Sequence, residues 1–575
     1  MSIFRGLIAS GGLTLAPAIR YIRLNPLDLV PRGCSVEDKT LELKALETAK
    51  RKYINELEEL RSLLPEGEKD IVDAYELIAE NLISEAADVI RNENICAALA
   101  IKKIFDKYAE LLEKSQSQLF ALRVADLKDI ASALIGIVLN IPSISLADVQ
   151  GKVIISPDIS PSELLRLARS GIKGLVTKEG GITSHAAIIA RNNNVPYVIA
   201  PSLEIETIET GSIVIVDALE GKVIINPSSA ILKEYSDKVR RYEEVRERLK
   251  SFSHIRSITL DGVEVRVMCN INSLEEARVA SISGCEGIGL FRIEYLYMAE
   301  KPPDSELVKN VLTKLASLFN NKPVVVRAPD LGADKPPPFL NIRESNPFLG
   351  LRGIRLLLEY RSEIFKPFIK GFLEARRSSP NLKLMLPMIS RASEVRETID
   401  YIEEVNSSYG IGADVKNLEL GIMVEVPSAA LMVDKIVKDG TIRFISFGTN
   451  DLTQYVLAVD RTNPRVGNIY DELDPSLLRL LSLSIKGAKR YNVDVEVCGE
   501  MASKQIAIPV LLSLGVDALS VNPPVVGPVK FTINKINVTY IRENILPMLL
   551  ESEDPSDVRN AILKLFSELN IPIIS

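Results

Sequence analysis

Short apolar runs alternate with helical patterns throughout residues 256–575 of the chain. Eight of these runs are candidate strands: EVRVMCNI, GIGLFR, PVVVRAP, LKLMLPM, LELGIMVEV, RFISFG, VDVEVCG and ALSV. Their near-continuous apolar character is typical of strands that are buried on both faces of a parallel sheet. Strands that alternate with helices at this spacing predict a (β/α)8 TIM barrel.

The N-terminal half of the chain changes its pattern twice. Between residues 36 and 144, apolar residues recur every three or four positions, as in LELKALETAKRKYINELEELRSLL, and predict a bundle of four helices. Residues 145–227 contain short β-branched runs such as KVIIS and SIVIVDA, which predict a compact α/β domain. A charged helical stretch at 228–255 fits a solvated linker. The expected fold class is therefore multidomain α/β.

Composition restricts the possible classes of function. A chain of 575 residues is too long for one hydrophobic core, and its net charge of −7 argues against a general nucleic-acid binder. No uninterrupted apolar run is long enough for insertion into a membrane. The five cysteines include no CxxC pair, which argues against a disulfide scaffold or a zinc site and favours a cytoplasmic location.

The most informative stretch is GGITSHAAIIAR, with His185 at its centre. Thr183 and Ser184 are good helix N-cap residues, so His185 is expected in the first turn of a helix. There the unpaired backbone N–H groups and the helix dipole favour an anion, and an imidazole nitrogen can accept a phosphoryl group. The alternative is a buried structural histidine. The neighbouring glycines and hydroxyl residues, in a chain with only 2 histidines, favour the functional interpretation.

Polar residues follow the apolar runs of the predicted barrel, at the end of the strands where active sites of this fold form. Glu425 and Asp451 offer oxygen ligands of the kind that hold Mg²⁺ or Mn²⁺ together with substrate oxygens. Arg292 and Arg327 carry planar guanidinium groups suited to carboxylate and phosphate. Further candidates lie nearby: Arg352, Asn450, Arg461 and Cys498. The predicted substrate is small and carries more than one negative charge.

GGITSHAAIIAR resembles the phosphohistidine signature of the phosphoenolpyruvate-utilising enzymes, which include enzyme I of the sugar phosphotransferase system, phosphoenolpyruvate synthase and pyruvate phosphate dikinase. The resemblance covers essentially the whole chain and is closest to enzyme I. It implies a phosphohistidine domain formed by residues 1–35 and 145–227, with the helical bundle at 36–144 inserted in it. A linker at 228–255 and a phosphoenolpyruvate-binding barrel at 256–575 would follow.

The resemblance also implies an activity and partners. The phosphoryl group of phosphoenolpyruvate would pass to His185 and then to an HPr-like carrier protein that docks on the helical bundle, and pyruvate would be released. The barrel would form a homodimer.

Several roles carry over motif by motif. GIGLFRIEYLYM resembles the segment whose arginine binds phosphoenolpyruvate, here Arg292, and VVVRAPDLGADK resembles the segment with the second phosphate-binding arginine, here Arg327. The same segment contributes Asp330 and Lys335. GIMVEVPSAA and SFGTNDLTQYVLAVDR are similar to the metal-binding and substrate-binding stretches, and VCGEMAS to the stretch with the proton donor. By this resemblance the metal-binding and substrate-binding residues are Glu425, Asn450, Asp451 and Arg461, and the proton donor is Cys498. For Cys498 the alternative is a small buried apolar residue.

The chain departs from the enzyme I pattern at four positions. Ile293 and Ala328 stand where the family usually has threonine, and Ala333 where it has glycine. These changes are expected to affect substrate binding. Tyr75 replaces a histidine that is usual near the start of the second helix of the bundle, and this change is expected to affect which carrier protein binds.

Two other functions remain open at this stage. A relative of phosphoenolpyruvate synthase or the dikinase would phosphorylate a nucleotide, but those proteins carry a large nucleotide-binding domain where this chain has a helical bundle. No GxxxxGK[ST] phosphate loop is present either. A catalytically silent regulator is the other alternative, and the retention of the predicted catalytic residues argues against it.

Overall fold

The computed structural model describes residues 1–21, 26–31, 33–34, 36, 38–63, 69–113, 118–141, 146–181, 185–299, 301–332, 337–340, 342, 344–461, 463 and 465–573. The chain divides into two compact units, Met1–Leu232 and Lys233–Ser575.

The first unit contains an eight-stranded sheet in the order β1-β8-β7-β3-β4-β5-β6-β2. Its strands are Ser2–Arg5 (β1), Leu7–Ser10 (β2), Leu13–Arg20 (β3), Val153–Ser156 (β4), Gly174–Thr177 (β5), Tyr197–Ile199 (β6), Ile213–Asp217 (β7) and Lys222–Ile225 (β8). Strands β3 to β6 pair in parallel, whereas β7 and β8 form an antiparallel hairpin. The first 20 residues form three of these strands, β1 to β3.

Strands β1 and β2 lie at opposite edges of this sheet although only Gly6 separates them in the chain. The sheet must therefore curl until its two edges meet. Gly6 permits this closure, because a Cβ atom there would clash with the carbonyl oxygen of Ile199.

The helices of the first unit, together with the helix that follows it, are Lys39–Leu63 (α1), Lys69–Glu93 (α2), Ala97–Glu113 (α3), Gln118–Val138 (α4), Leu146–Val149 (α5), Pro161–Arg169 (α6), His185–Asn192 (α7) and Ser229–Lys250 (α8). Helices α1 to α4 form the expected bundle, inserted between β3 and β4. Their core is built from alanine and aliphatic side chains, and the half-buried Tyr75 packs against it. The residue limits predicted for the individual domains remain predictions.

Helix α8 is the charged segment that the sequence suggested as a linker. The division between the two compact units falls between Leu232 and Lys233, near its start. Its C-terminal end packs on the barrel: Leu249 is fully buried, and the Arg248 guanidinium lies 5.7 Å from the centre of the Phe531 ring.

The second unit is a closed barrel of eight parallel strands, so this prediction is confirmed. Its strands are Arg266–Ile271 (β9), Ile288–Arg292 (β10), Val324–Arg327 (β11), Leu382–Leu386 (β12), Leu420–Val424 (β13), Phe444–Phe447 (β14), Asp494–Val497 (β15) and Ala518–Val521 (β16). Each strand lies within one of the eight apolar runs of the sequence.

Helices connect and surround these strands: Leu274–Ile282 (α9), Ser305–Leu318 (α10), Ile354–Glu359 (α11), Lys366–Ser378 (α12), Ala392–Ser408 (α13), Pro427–Leu431 (α14), Val433–Ile436 (α15), Thr449–Leu457 (α16), Pro475–Lys489 (α17), Ile508–Leu514 (α18), Val526–Ile533 (α19), Val538–Asn544 (α20), Leu546–Leu550 (α21) and Pro555–Glu568 (α22). The main hydrophobic core lies between the outer surface of the barrel and these helices, and a smaller cluster fills the barrel interior.

The cysteines correct an expectation from the sequence. Cys34 and Cys96 form one disulfide, and Cys269 and Cys285 form another, each with a Cα–Cα distance of 5.8 Å. The sequence argued against a disulfide scaffold because the five cysteines are widely spaced and include no CxxC pair. The fold overrides that spacing, since the chain returns beside Cys34 at the start of α3, and the turn before β10 returns beside β9. Cys498 is a free and buried thiol.

Within the described ranges, no helix combines the length and the apolar character needed to cross a membrane.

Candidate functional site

The predicted site residues of the barrel lie at the C-terminal ends of its strands. Arg292 and Arg327 are the last residues of β10 and β11, and Glu425 follows β13 directly. Asp451 lies in the first turn of α16, just after β14, and Cys498 follows β15. Because all eight strands are parallel and the barrel is closed, these side chains are brought to the same end of the barrel.

Arg327 is a buried cation, with 8% of its surface exposed. Its Nη2 lies 2.7 Å from Glu294 Oε1, and its Nη1 lies 3.2 Å from Asp330 Oδ2. Burial alone would lower the pKa of Arg327, but the two carboxylates raise it, so the guanidinium stays charged. Its buried Nε has no hydrogen-bond partner among the described residues and remains available as a donor.

Arg352 connects two carboxylates of the site. Its Nη2 lies 2.8 Å from Asp330 Oδ2 and 3.4 Å from Asp451 Oδ2, and its Nη1 donates to the Tyr455 hydroxyl at 3.3 Å. Asp330 thus binds both Arg327 and Arg352, and it links the anion-binding side of the site to the carboxylate side. These carboxylates keep the pKa of Arg352 above its usual range in spite of burial.

Arg292 adds a second positive charge near Arg327. Its Nη1 donates to Asn272 Oδ1 at 3.1 Å. Burial and the neighbouring Arg327 lower the pKa of Arg292. Two guanidinium groups held near each other in a sheltered site attract an anion, because a bound anion relieves their repulsion.

Glu425 is almost completely buried, at 1% exposure. Its Oε1 accepts a hydrogen bond of 2.7 Å from the backbone N–H of Met388. Burial, followed by the negative charges of Asp330 and Asp451, raises the pKa of Glu425 to about 8. Repulsion from the two neighbouring carboxylates therefore disfavours the ionised form of Glu425.

Two backbone features hold Glu425 in position. Met388, whose N–H it accepts, has the left-handed φ of 56°, which is uncommon for a residue with a side chain. A Cβ atom on Gly448 would lie 2.7 Å from Glu425 Oε2, so only glycine allows this close approach. The strand ends therefore leave Glu425 little freedom to move.

The remaining predicted residues have different surroundings. Asn450 Oδ1 accepts a hydrogen bond of 2.7 Å from the Glu500 N–H, and Arg461 Nη2 lies 3.7 Å from Asp451 Oδ1. Lys335 lies outside the described residues.

Cys498 is buried, and its thiol points toward the carbonyl oxygen of Phe447 at 3.6 Å. It belongs to the cluster of side chains that fills the barrel interior. Burial raises the pKa of Cys498 to about 11, although the nearby Ser446 hydroxyl opposes the shift. The group is therefore a protonated thiol at neutral pH and a suitable proton donor to a basic carbon.

His185 is the first residue of α7 in the first unit, as predicted. Its side chain, and the predicted capping residues Thr183 and Ser184, lie outside the described residues. Gly180, at the start of the preceding loop, has a φ of 136°, which other residues rarely adopt.

Sequence reasoning did not identify Glu294, the buried partner of Arg327. Its Oε1 also accepts the backbone N–H of Asp330 at 2.8 Å. The sequence signal that could have identified Glu294 is its position, an acidic residue two places after Arg292 in the largely apolar segment FRIEYLY.

Two of the departures from the family pattern, Ile293 and Ala328, are fully buried in the main core of the barrel. The third, Ala333, lies outside the described residues.

Comparison with known families accounts for most of the chain. A family model described as the PEP-binding domain of PEP-utilising enzymes matches residues 246–538. The mobile domain of the same enzymes matches residues 148–221, and their N-terminal domain matches residues 5–123.

Similar proteins match over nearly the full length. The phosphoenolpyruvate-protein phosphotransferase of Geobacillus stearothermophilus is 36% identical over 572 residues, which cover 96% of this chain and 97% of that protein. The phosphoenolpyruvate-protein phosphotransferase of Bacillus subtilis is 34% identical over 569 residues, covering 96% and 98% respectively. The chain therefore belongs to the family of PEP-utilising enzymes, among the phosphoenolpyruvate-protein phosphotransferases.

Proposed function

We propose that this protein transfers the phosphoryl group of phosphoenolpyruvate to its own His185, releases pyruvate, and passes the phosphoryl group on to an HPr-like carrier protein. The main support is the buried set of arginines and carboxylates at the C-terminal end of the barrel, which suits a small substrate with several negative charges. The near full-length similarity to proteins named phosphoenolpyruvate-protein phosphotransferase supports the same reaction.

Arg292 and Arg327 would bind the phosphate, with Arg461, Asn450 and Lys335 as further substrate contacts. Arg327 is well suited to this role because Glu294 and Asp330 fix its orientation while its buried Nε remains available. Preorganised cations of this kind stabilise the charge that spreads over the phosphoryl oxygens in the transition state.

Glu425 and Asp451 would hold Mg²⁺, with Mn²⁺ as an alternative. Asp451 Oδ1 is buried and accepts no hydrogen bond from the described residues, and a divalent cation would relieve the repulsion between the two carboxylates. No cluster of three or more His, Cys, Asp or Glu side chains suited to a metal occurs in the part of the chain that the structure describes. The remaining ligands would thus be substrate oxygens and water. When bound, the cation would neutralise charge on the phosphate and enolate oxygens.

The imidazole of His185 would attack phosphorus, and the positive end of helix α7 would stabilise the phosphoryl group that arrives there. Cys498 would then donate its proton to the methylene carbon of the enolate and so form pyruvate. Its raised pKa supports this role, because the thiol keeps its proton until a strongly basic carbon is present.

His185 would have to reach the barrel site to accept the phosphoryl group and then the carrier protein to deliver it. The first unit would pivot near the start of α8, where the two compact units divide. The helical bundle would dock the carrier protein, and Tyr75 would affect which carrier is accepted. We also propose that the protein is cytoplasmic and forms a homodimer through its barrel, as the family resemblance implies.

Labelling tests the central step. The wild-type protein, incubated with ³²P-labelled phosphoenolpyruvate and Mg²⁺, is expected to acquire an acid-labile phosphate and to release pyruvate. His185→Ala should abolish the label, whereas His254→Ala, which changes the only other histidine at an exposed position, should retain it. Wild-type labelling of His185→Ala would refute the proposal. The labelled protein is then mixed with an HPr protein or with AMP, and label that reaches AMP would favour a dikinase-like function.

A further inference from the structure

A carboxylic acid lies inside the barrel directly below Cys498. Glu496 is two residues before Cys498 on β15, so both side chains point to the same face of the strand, which is the barrel interior. It is 2% exposed. Glutamate is rarely buried to this extent, and the reaction described above does not use it.

Ser446 is a second polar residue beside this acid in the barrel interior. It is the register partner of Glu496 on the neighbouring strand β14, and it is fully buried. Adjacent strands are about 5 Å apart, and side chains of register partners lie side by side. The Ser446 hydroxyl is close enough to lower the pKa of Cys498, and its buried oxygen has no hydrogen-bond partner among the described residues. Glu496, Ser446 and Cys498 therefore form a polar column within an otherwise apolar interior.

Charged groups surround Glu496 on its lower side. Arg266 on β9 and Lys383 on β12 contribute positive charge, and Asp494 and Asp517 contribute negative charge. Arg266 pairs more closely with Asp494, at 2.9 Å, than with Glu496 Oε1, at 4.0 Å. Oε2 of Glu496 is buried and has no hydrogen-bond partner within the described part of the chain. A purely structural ion pair would engage this carboxylate more fully.

We propose that Glu496 and Ser446 form a proton relay that restores the proton of Cys498 after each turnover. The proposal depends on the role of Cys498 proposed above. When Cys498 has given its proton to the enolate carbon, its S–H bond is broken and a thiolate remains. Ser446 then donates its hydroxyl proton to the sulfur and receives the carboxyl proton of Glu496. Glu496 regains a proton from solvent at the partly exposed Arg266 and Asp494 end of the barrel.

The acidities favour this direction. Burial raises the pKa of Glu496 to about 7, while the pKa of Cys498 lies at about 11. A proton therefore moves downhill from the carboxyl group to the thiolate. Because the proton arrives from the Arg266 and Asp494 end of the barrel, the thiol can be reprotonated while substrate still covers the opposite end.

Isotope exchange tests the relay without a carrier protein. The phosphorylated full-length protein, with Mg²⁺, phosphoenolpyruvate and ¹³C-labelled pyruvate in D₂O, exchanges carbon between the two substrates. Each reverse event leaves a substrate proton on Cys498, which either exchanges with solvent through the relay or returns to the next enolate. The ratio of deuterium in the pyruvate methyl group to ¹³C in phosphoenolpyruvate therefore measures how fast the thiol exchanges its proton. Deuterium incorporated in the presence of Cys498→Ala is subtracted as background.

We expect Glu496→Gln and Ser446→Ala to lower this ratio about tenfold or more, because a positioned acid accelerates proton transfer by about 10² or more. Carbon exchange should fall less than the ratio. A packing defect would slow carbon and deuterium exchange together and leave the ratio unchanged.

Two control variants are matched to these changes. Asp494→Asn removes the other carboxylate next to Arg266, and Ser520→Ala removes a buried hydroxyl on β16. Both should keep the wild-type ratio. An unchanged ratio in Glu496→Gln, or an equal fall in Asp494→Asn, would overturn the relay. Absence of carbon exchange in the wild-type protein would instead refute the proposed function.

Discussion

The buried carboxyl group of Glu496 has a measurable consequence for stability. Its pKa rises from the ordinary value of 4.5 to about 7 on folding. The folded protein therefore binds more protons than the unfolded chain between these two values, and stability falls as the pH rises through this window. With about 1.4 kcal/mol for each of the 2.5 units between them, the loss amounts to about 3 kcal/mol above pH 7.

Glu496→Gln removes this titration and keeps the size of the side chain. The free energy of unfolding of the variant, relative to wild type, should therefore increase by about 3 kcal/mol between pH 4 and pH 8. For a unit of this size that difference corresponds to about 4 °C in the unfolding temperature. Any packing effect of the substitution is independent of pH and shifts both ends of the series equally.

Differential scanning calorimetry of the full-length protein, at intervals between pH 4 and pH 8, provides the measurement. Asp494→Asn serves as a control, because Asp494 is on the same strand but is partly exposed. A difference between Glu496→Gln and wild type that stays constant or shrinks with rising pH would show that Glu496 is ionised without penalty. The reasoning from its burial would then be wrong.

Three further changes have expected outcomes. Gly448→Ala should lower the rate of phosphoenolpyruvate–pyruvate exchange by about tenfold or more, because the added methyl group displaces the Glu425 carboxylate; a wild-type rate would contradict this. Glu294→Gln should raise the KM for phosphoenolpyruvate about tenfold, with a smaller effect on kcat, since Arg327 loses its charged partner. A fall in kcat with an unchanged KM would argue against a role in binding. Reduction of the disulfides should destabilise the protein, by about 4 kcal/mol for the bond that spans 62 residues and about 3 kcal/mol for the bond that spans 16. Calorimetric transitions that do not change when reductant is added would contradict this.

Much of the candidate site could be predicted because the relevant signals are local. Arg292, Arg327, Glu425 and Cys498 each end or follow an apolar run, and such runs can be recognised one at a time. The closed parallel barrel then brings the ends of all its strands together.

The partners of these residues could not be predicted, because each depends on contacts between distant segments. Asp330 binds Arg352, which is 22 positions later, and Arg352 also reaches Asp451. The raised pKa of Glu425 arises from burial and from these carboxylates together, and neither is visible in the order of residues. The two disulfides likewise depend on contacts between separate segments of the chain.

The run VDVEVCG could be recognised as a strand from its local pattern, but the surroundings of its acidic residues depend on the whole barrel. Its apolar residues indicated a strand, and side chains in a strand alternate between two faces. By itself, that alternation would place Asp494 and Glu496 on a face toward water. Closure of the barrel turns that face inward, so Glu496 is buried next to Ser446 and below Cys498. Local periodicity thus determined the strand, and only the closed sheet decided that its acidic side chain lies in a dry interior.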